Sequence, residues 1–423
     1  MNIYIMNIAK NILVAVALFM GAVSVNAQEA MSPYSKYGYG ILNDNATSAQ
    51  SAMGGVGYAM QSGRQINVMN PASYASIDSI TFLFDIGMDM TKLWSRETDN
   101  KGVSHFGSGF GGGLDYVTMQ FPINKYIGAS FGLLPFSNVG YSFGSKIDNG
   151  SESRQGTGGL NQLYAGVGVR PLKGLSVGMN IGYLFGTTYN DTYLYTSTGS
   201  STLFETVVEV RDYHLQFGVQ YAYNINQDSK LTAGLTFSPG KTLLGHAWGV
   251  NYDMSSDNQA DTVGYTSLKG KYSLPALWGF GVNYQWRDRW MVEADFTYQP
   301  WKKAKYTNID DELQSQSFDN RWKVAAGMQY TPNTRGSYLQ CINYRAGAFY
   351  EHGYLNVLGN NVREYGASIG FGLPAPKSKT VINIGFEWRH RQADPNPLIK
   401  ENYLSIKFGV NFNERWFYQR KIM

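Results

Sequence analysis

The stretch Tyr403-Leu404-Ser405-Ile406-Lys407-Phe408-Gly409-Val410-Asn411-Phe412 alternates throughout. Leu404, Ile406, Phe408, Val410 and Phe412 are apolar, and the residues before and between them are tyrosine, serine, lysine, glycine and asparagine. Successive side chains of a strand point to opposite faces, so this is a strand with one apolar and one polar face. The period recurs upstream. Ile382, Ile384, Phe386 and Trp388 alternate with Val381, Asn383, Gly385 and Glu387, and Trp290, Val292, Ala294, Phe296 and Tyr298 with Met291, Glu293, Asp295, Thr297 and Gln299. Leu175, Val177, Met179, Ile181, Tyr183 and Phe185 face away from Ser176, Gly178, Asn180 and Gly182. The chain reads as all-β.

The polar face decides between a soluble sandwich and a barrel in a membrane. It carries Glu293, Asp295, Lys323, Glu387 and Lys407 in mid-strand, which suits a wet or plugged lumen and not a dry core. Trp290, Tyr298, Trp388 and Tyr223 stand towards strand ends, as aromatic girdles at two lipid–water interfaces do. Aromatic residues make up 15% of the chain and charged residues only 16%, against about a quarter charged in a soluble domain. Beyond the N-terminus no apolar run is long enough to cross a bilayer as a helix, which leaves a closed barrel.

Residues 1–27 have the form of a cleaved signal peptide: Lys10, an apolar run Ile12 to Val25, and the small-residue site Val25-Asn26-Ala27. Connections after residue 78 alternate in length. Short ones contain Pro122-Ile123-Asn124-Lys125, Pro171-Leu172-Lys173-Gly174, Asn224 to Ser229, Arg287-Asp288-Arg289, Pro332 to Gly336 and Pro374 to Lys379. Long polar ones fall at 95–104, 145–159, 190–202, 251–266, 303–317, 353–362 and 391–400. That count predicts a transmembrane antiparallel β-barrel of about 14 strands with short periplasmic turns, in the outer membrane of a Gram-negative bacterium. The expected layout is signal peptide 1–27, N-terminal plug 28–78 inside the lumen, barrel 79–412 and periplasmic tail 413–423.

The plug expectation comes from Ser51 to Ile77, which is rich in Gly, Ala, Ser and Met, has one charge (Arg64) and contains Asn70-Pro71-Ala72. Gly54, Gly55 and Gly57 permit the backbone angles that a confined space demands. Met53, Met60 and Met69 offer adaptable apolar surface. A stopper held by hydrogen bonds to the wall would account for the same residues.

Other chemistries find little support. The net charge of +4 is too small to imply a nucleic-acid partner, and Cys341 is the only cysteine. Gly107-x-Gly109-x-x-Gly112 has the letters of a dinucleotide fingerprint but no following helix pattern. His105, His214, His246, His352 and His390 are scattered, and Asp253, Asp257 and Asp261 lack the glycine and glutamate of a calcium loop. No catalytic residue, metal site or cofactor is expected.

With these pieces in order, the chain resembles the FadL-type outer-membrane transporters of long-chain fatty acids and other hydrophobic compounds. The resemblance rests on Ser51-Ala52-Met53-Gly54-Gly55-Val56-Gly57-Tyr58-Ala59, then Asn70-Pro71-Ala72 and Phe121-Pro122-Ile123-Asn124. It continues through Leu274-Pro275-Ala276, Trp278 to Tyr284, Ala294-Asp295-Phe296, Trp301 and Arg345 to Tyr350. It implies a hatch that meets an apolar ligand through Met53, Gly54, Gly55, Val56, Tyr58, Met60, Met69, Asn70, Pro71 and Ala72. It also implies release into the bilayer through a gap at the third strand, at Leu133, Leu134, Pro135 and Phe136. Chemistry alone expects a bulge or the end of pairing at Pro135, because proline donates no ladder hydrogen bond.

Arg64, Arg170, Lys323 and Arg345 are the candidates for meeting a ligand carboxylate, and Glu387 and Lys407 are expected to pair with each other. The partners implied are the bilayer and a hydrophobic small molecule. The alternative is a non-transport barrel docking partner proteins of a secretion or assembly machine, with Tyr193, Tyr195, Trp248 and Tyr252 near its outer loops.

Overall fold

The computed structural model describes residues 32–98, 102–147, 149–197, 201–254, 260–268, 272–306, 318–376 and 378–415. The expected signal peptide, the first four residues of the expected plug and residues 416–423 of the tail lie outside the described residues.

Fourteen antiparallel strands close into a barrel. They are β1 Thr81–Thr98, β2 Ser104–Pro122, β3 Ile127–Ile147, β4 Gly150–Leu172, β5 Leu175–Thr196, β6 Ser201–Asn224 and β7 Ser229–Ser238. There follow β8 Leu277–Trp286, β9 Trp290–Gln299, β10 Arg321–Tyr330, β11 Asn343–Val357, β12 Asn360–Pro374, β13 Val381–Asp394 and β14 Ile399–Arg415. The last strand closes on the first, from Ile399↔Glu97 to Arg415↔Thr81. It was expected to end at Phe412, but Asn413 and Arg415 still pair with Leu83 and Thr81.

The alternating faces fall where the sequence put them. Ile181 and Tyr183 on β5, Phe280 and Val282 on β8, Ile369 on β12 and Leu404 and Ile406 on β14 face outward and are exposed. Ser176, Asn180, Asn283, Glu293, Ser368 and Ser405 face inward and are buried. An apolar exterior on a closed sheet, with the polar residues inside, is the arrangement a bilayer imposes.

Wall height is uneven. Strands β3 to β6 run 21, 23, 22 and 24 residues, whereas β7 to β10 run 10 each. About 10 residues cross a bilayer, so one side of the barrel stands roughly another 10 residues above it. The upper half of β6 leaves β7 and pairs instead with an outer hairpin of strands Gly245–Met254 and Ala260–Leu268. Much of 145–159, 190–202 and 251–266, expected as loop, is therefore paired strand. Water bathes both faces there, so nothing imposes apolar alternation, and only the backbone ladder marks the structure.

The residues before β1 cross the space the strands enclose. Ser48 to Ser51 form one helical turn, Pro71–Ser76 a 3-10 helix, and both are buried. Inner-wall glycines admit them: a Cβ at Gly347 would lie 2.1 Å from the Met53 carbonyl carbon, and one at Gly178 would lie 2.4 Å from that of Pro71. Because the obstacle is backbone, a side chain at either position has nowhere to go.

Candidate functional site

Two buried carboxylates of β9 hold the N-terminal segment by its backbone. Asp295 Oδ2 accepts from Gly57 N–H at 2.6 Å and Tyr58 N–H at 3.0 Å, and Glu293 Oε1 accepts from Ala59 N–H at 2.8 Å. The other side of the turn is held by amides: Asn70 Nδ2 and Gln220 Nε2 donate to the Tyr58 carbonyl at 2.7 and 3.0 Å. On the opposite wall Ser48 N–H donates to Tyr116 Oη, whose hydroxyl donates to Asp85, each at 2.9 Å. Asn70 caps the 3-10 helix through Ala72 N–H at 3.0 Å, with Pro71 at the first position, where its missing N–H costs nothing. The mid-strand carboxylates of the sequence thus satisfy backbone donors that burial would otherwise leave orphaned.

Of the ten hatch residues, Gly54 and Gly55 border open space. Met53, Val56 and Met60 pack against Met291, Ala325 and Phe349. Tyr58 donates to or accepts from Thr297 at 2.9 Å, and Met69, Asn70, Pro71 and Ala72 are buried against β4 to β7.

Above Gly54 and Gly55 lies a cavity of about 100 Å³, and adjoining it, with Asp115, Pro135 and Arg391 in both linings, is one of about 320 Å³ between the N-terminal segment and the wall. The lining is charged. Arg321 donates to Glu351 at 2.7 Å and to Asp44 at 2.8 Å, and Lys323 pairs with Asp44. Arg391 pairs with Glu364, and Arg389 with Glu387 at 2.8 Å. Burial alone would raise the Asp44 carboxyl. The charges of Lys323 and Arg321 and the hydrogen bonds they donate outweigh it and hold Asp44 below the ordinary carboxylate range.

The expected pairing of Glu387 with Lys407 is corrected. Glu387 stands opposite Ser405 in the ladder and takes Arg389, while Lys407 lies 3.9 Å from Asp115. Asp115 is the extra residue of a bulge in β2, between Leu114 and Tyr116, a position no single-strand pattern reveals.

Of the four basic candidates only Lys323 lines the cavity. Arg64 is exposed and lies 3.6 Å from Asp78, Arg170 donates to the Ala75 carbonyl at 2.8 Å, and Arg345 donates to Gln329 and Asn383 at 2.8 and 2.7 Å. Sequence reading missed Asp44, Arg321, Glu351, Glu364, Arg389 and Arg391. Of the last four only Arg391 fell within an expected loop, Glu351, Glu364 and Arg389 lie just outside one, and Asp44 comes from a segment without periodicity.

The wall beside Pro135 is incomplete. β2 and β3 pair only from Pro122↔Gly128 to Val117↔Leu133, although both strands run on. Pro135 marks a register shift against β4. The chain's own N-terminal segment covers the free edge of β3: Ile41 and Leu42 pair with Asn138 and Ser137, and Asn43 N–H donates to the Phe136 carbonyl at 3.0 Å. Leu133, Leu134, Pro135 and Phe136 are therefore where the β2–β3 ladder ends. The opposing edge of β2, Gly111 to Leu114, faces the larger cavity.

Above the cavities an aromatic core fills the outer end. Trp301 lies 4.3 Å from Tyr354 and 5.9 Å from Tyr39 between ring centres, and Tyr306 lies 5.1 Å from both Tyr39 and Tyr272. No group of three or more potential metal-ligating side chains is found among the described residues.

No curated protein matches the sequence. Solved structures do match in shape. The P. putida toluene transporter TodX aligns with a TM-score of 0.61 at 14% identity, covering 89% of this chain and 100% of that one. The Ralstonia pickettii toluene transporter TbuX gives 0.60 at 14%, covering 88% and 99%, and a Pseudomonas aeruginosa FadL homologue gives 0.60 at 12%, covering 89% and 99%. At such identities the likeness is one of fold, and at that level the FadL-type resemblance is borne out. Membership is decided by the sequence model of the BamG family, which matches residues 8–423 and so takes in the N-terminal segment and the whole barrel; the chain belongs to the BamG family.

Proposed function

We propose that the protein is a channel of a Gram-negative outer membrane, plugged by its N-terminal segment, through which small hydrophobic or amphiphilic molecules move between lumen and bilayer by the gap beside Pro135. The observation that carries this reading is the end of the β2–β3 ladder at Val117↔Leu133. Leu114, at the gap, pairs with Met88 on the lipid-facing side of β1, so the break lies beside acyl chains and not above them. Movement down a gradient needs no cofactor. Burial of an apolar ligand contributes about 0.8 kcal/mol per CH₂. Toluene transporters of the same fold support an apolar substrate class. The charged lining supports a ligand with a polar end, and to meet an anionic one Lys323, the one of the four basic candidates that borders the cavity, would exchange its partner Asp44 for the ligand. Gly54 and Gly55 would floor the site, while the hatch methionines anchor the plug.

The test is a lock. Leu42 and Ser137 are ladder partners, so Leu42→Cys with Ser137→Cys should pin the N-terminal strand across the gap. In liposomes, oxidation should suppress uptake of a fluorescent fatty acid and of toluene, and reduction should restore it. Equal flux in the locked and reduced protein would overturn the reading.

A second reading, a barrel that docks partner proteins, is favoured by one observation. The outer end is filled by the Trp301 aromatic core and the lumen below it by paired charges, which suits a support better than an open passage.

A further inference from the structure

The tall side of the barrel has an outward face that neither the channel nor the plug uses. The register between β5, β6 and the outer hairpin sets its residues in rows: Tyr189–Val207–Trp248, then Asp191–Glu205–Val250–Tyr265, then Tyr193–Leu203–Tyr252. Residues far apart in sequence thus form one aromatic surface above the lipid band. Tyr189 and Tyr195 are 42% and 46% exposed, and Tyr265 is 65% exposed, while Val207 and Val250 are buried among the rings.

Two features show what this face lacks. Asp191 and Glu205 are ladder neighbours at its centre, and no ion pair to either is found among the described residues. Asp191 Oδ1 has no hydrogen-bond partner, and Glu205 receives only the Tyr252 hydroxyl at 3.3 Å. Two carboxylates side by side amid aromatic rings call for a cation, which rings and carboxylates both attract. The second feature is an edge. Strand Ala260–Leu268 pairs on one side with Gly245–Met254 and on the other with no described strand. It contains no lysine, arginine or proline, the residues that usually blunt such an edge, and its Val263 is 71% exposed.

We propose that this face and edge form the docking surface for another protein, one that adds a strand along Ala260–Leu268 and places a lysine or arginine over Asp191 and Glu205. This deepens the docking reading and is independent of whether the wall gap conducts. Area supports the combined mode. Four strands at about 4.8 Å and three steps of about 6.6 Å give a face of about 400 Å², short of the about 800 Å² per partner of a standard interface. An added strand brings main-chain hydrogen bonds and more area at the point where the face ends.

The experiment uses the full chain in its own outer membrane, with Tyr195 and Val263 each replaced in turn by the photo-reactive p-benzoylphenylalanine. Both positions should crosslink to the same polypeptide. Asp191→Lys with Glu205→Lys should lower that yield about tenfold or more, the scale of a lost desolvated charge pair. Asp191→Asn with Glu205→Gln, which keeps shape and polarity, should lower it less. The heat-modifiable band of the folded barrel checks that each variant has assembled. A stoichiometric partner whose crosslinks are unchanged by the charge reversal would overturn this surface while sparing the docking reading. Crosslinks only to lipopolysaccharide, or to nothing, would overturn both.

Discussion

Replacing Asp44 with alanine should unlatch the first part of the N-terminal segment and leave the rest in place. Asp44 joins Arg321 and Lys323 across the cavity. Arg321 keeps Glu351 through two hydrogen bonds of 2.7 and 2.8 Å and is not stranded. Lys323 has no other carboxylate within ion-pair distance among the described residues, and its side chain is only 7% exposed. Breaking a fully buried pair costs about 3–5 kcal/mol. Asp44 is itself 31% exposed, so screening by water brings the expected cost to about 2 kcal/mol. That corresponds to about a 30-fold rise in local opening. Hydrogen–deuterium exchange of the protein in nanodiscs reads it directly. The amides of residues 41–43, which pair with β3, should exchange about 30-fold faster. Those of residues 57–59, held by Asp295 and Glu293, should not change. Equal acceleration in both stretches would refute a local latch, and no acceleration in either would refute the weight given to Asp44.

Further outcomes follow from the same geometry. Because the Asp44 carboxyl is held below its ordinary range, its contribution is fully present above about pH 4, the unfolded value, and is lost only as pH falls below that; residues 41–43 should exchange alike at pH 8 and pH 5, after correction for intrinsic rates, and faster at pH 3. Asp295→Ala would orphan two buried backbone donors at about 1–3 kcal/mol each, so residues 57–59 should become the fast-exchanging stretch and the barrel should melt earlier; an unchanged melting temperature would count against the anchor. Gly347→Val places a Cβ 2.1 Å from the Met53 backbone, beyond what a packed core absorbs, and should expel residues 51–56 or block assembly, seen as protease cleavage in that stretch or loss of the heat-modifiable band.

Much of the fold was legible in the sequence for one reason: a bilayer outside and a polar lumen inside enforce a period of two. Leu404, Ile406, Glu293 and Asp295 could be assigned to their faces from the pattern alone. The six short turns and seven long connections placed the strand count for the same reason. Where water touches both faces the constraint vanishes, and much of Ser145 to Gly159 and of Asn190 to Thr202, paired strand among the described residues, read as loop.

The site was less legible because it is made of partners from distant strands. The pattern put Lys407 and Glu387 on the inner face, but only the bulge at Asp115 and the two-residue offset of the ladder decided that they take different partners. Pro135 announced an irregularity. That Ile41 and Leu42 cover it, and that Asp44 is latched by two residues of one strand, β10, more than 270 residues away, is a matter of closure around the barrel. The sequence by itself determined strand period, face and count, since each depends on a residue and its nearest neighbours. Tertiary structure alone decided the charged cavity, the wall gap and the outer aromatic face, since each depends on register between strands, which a single strand does not encode.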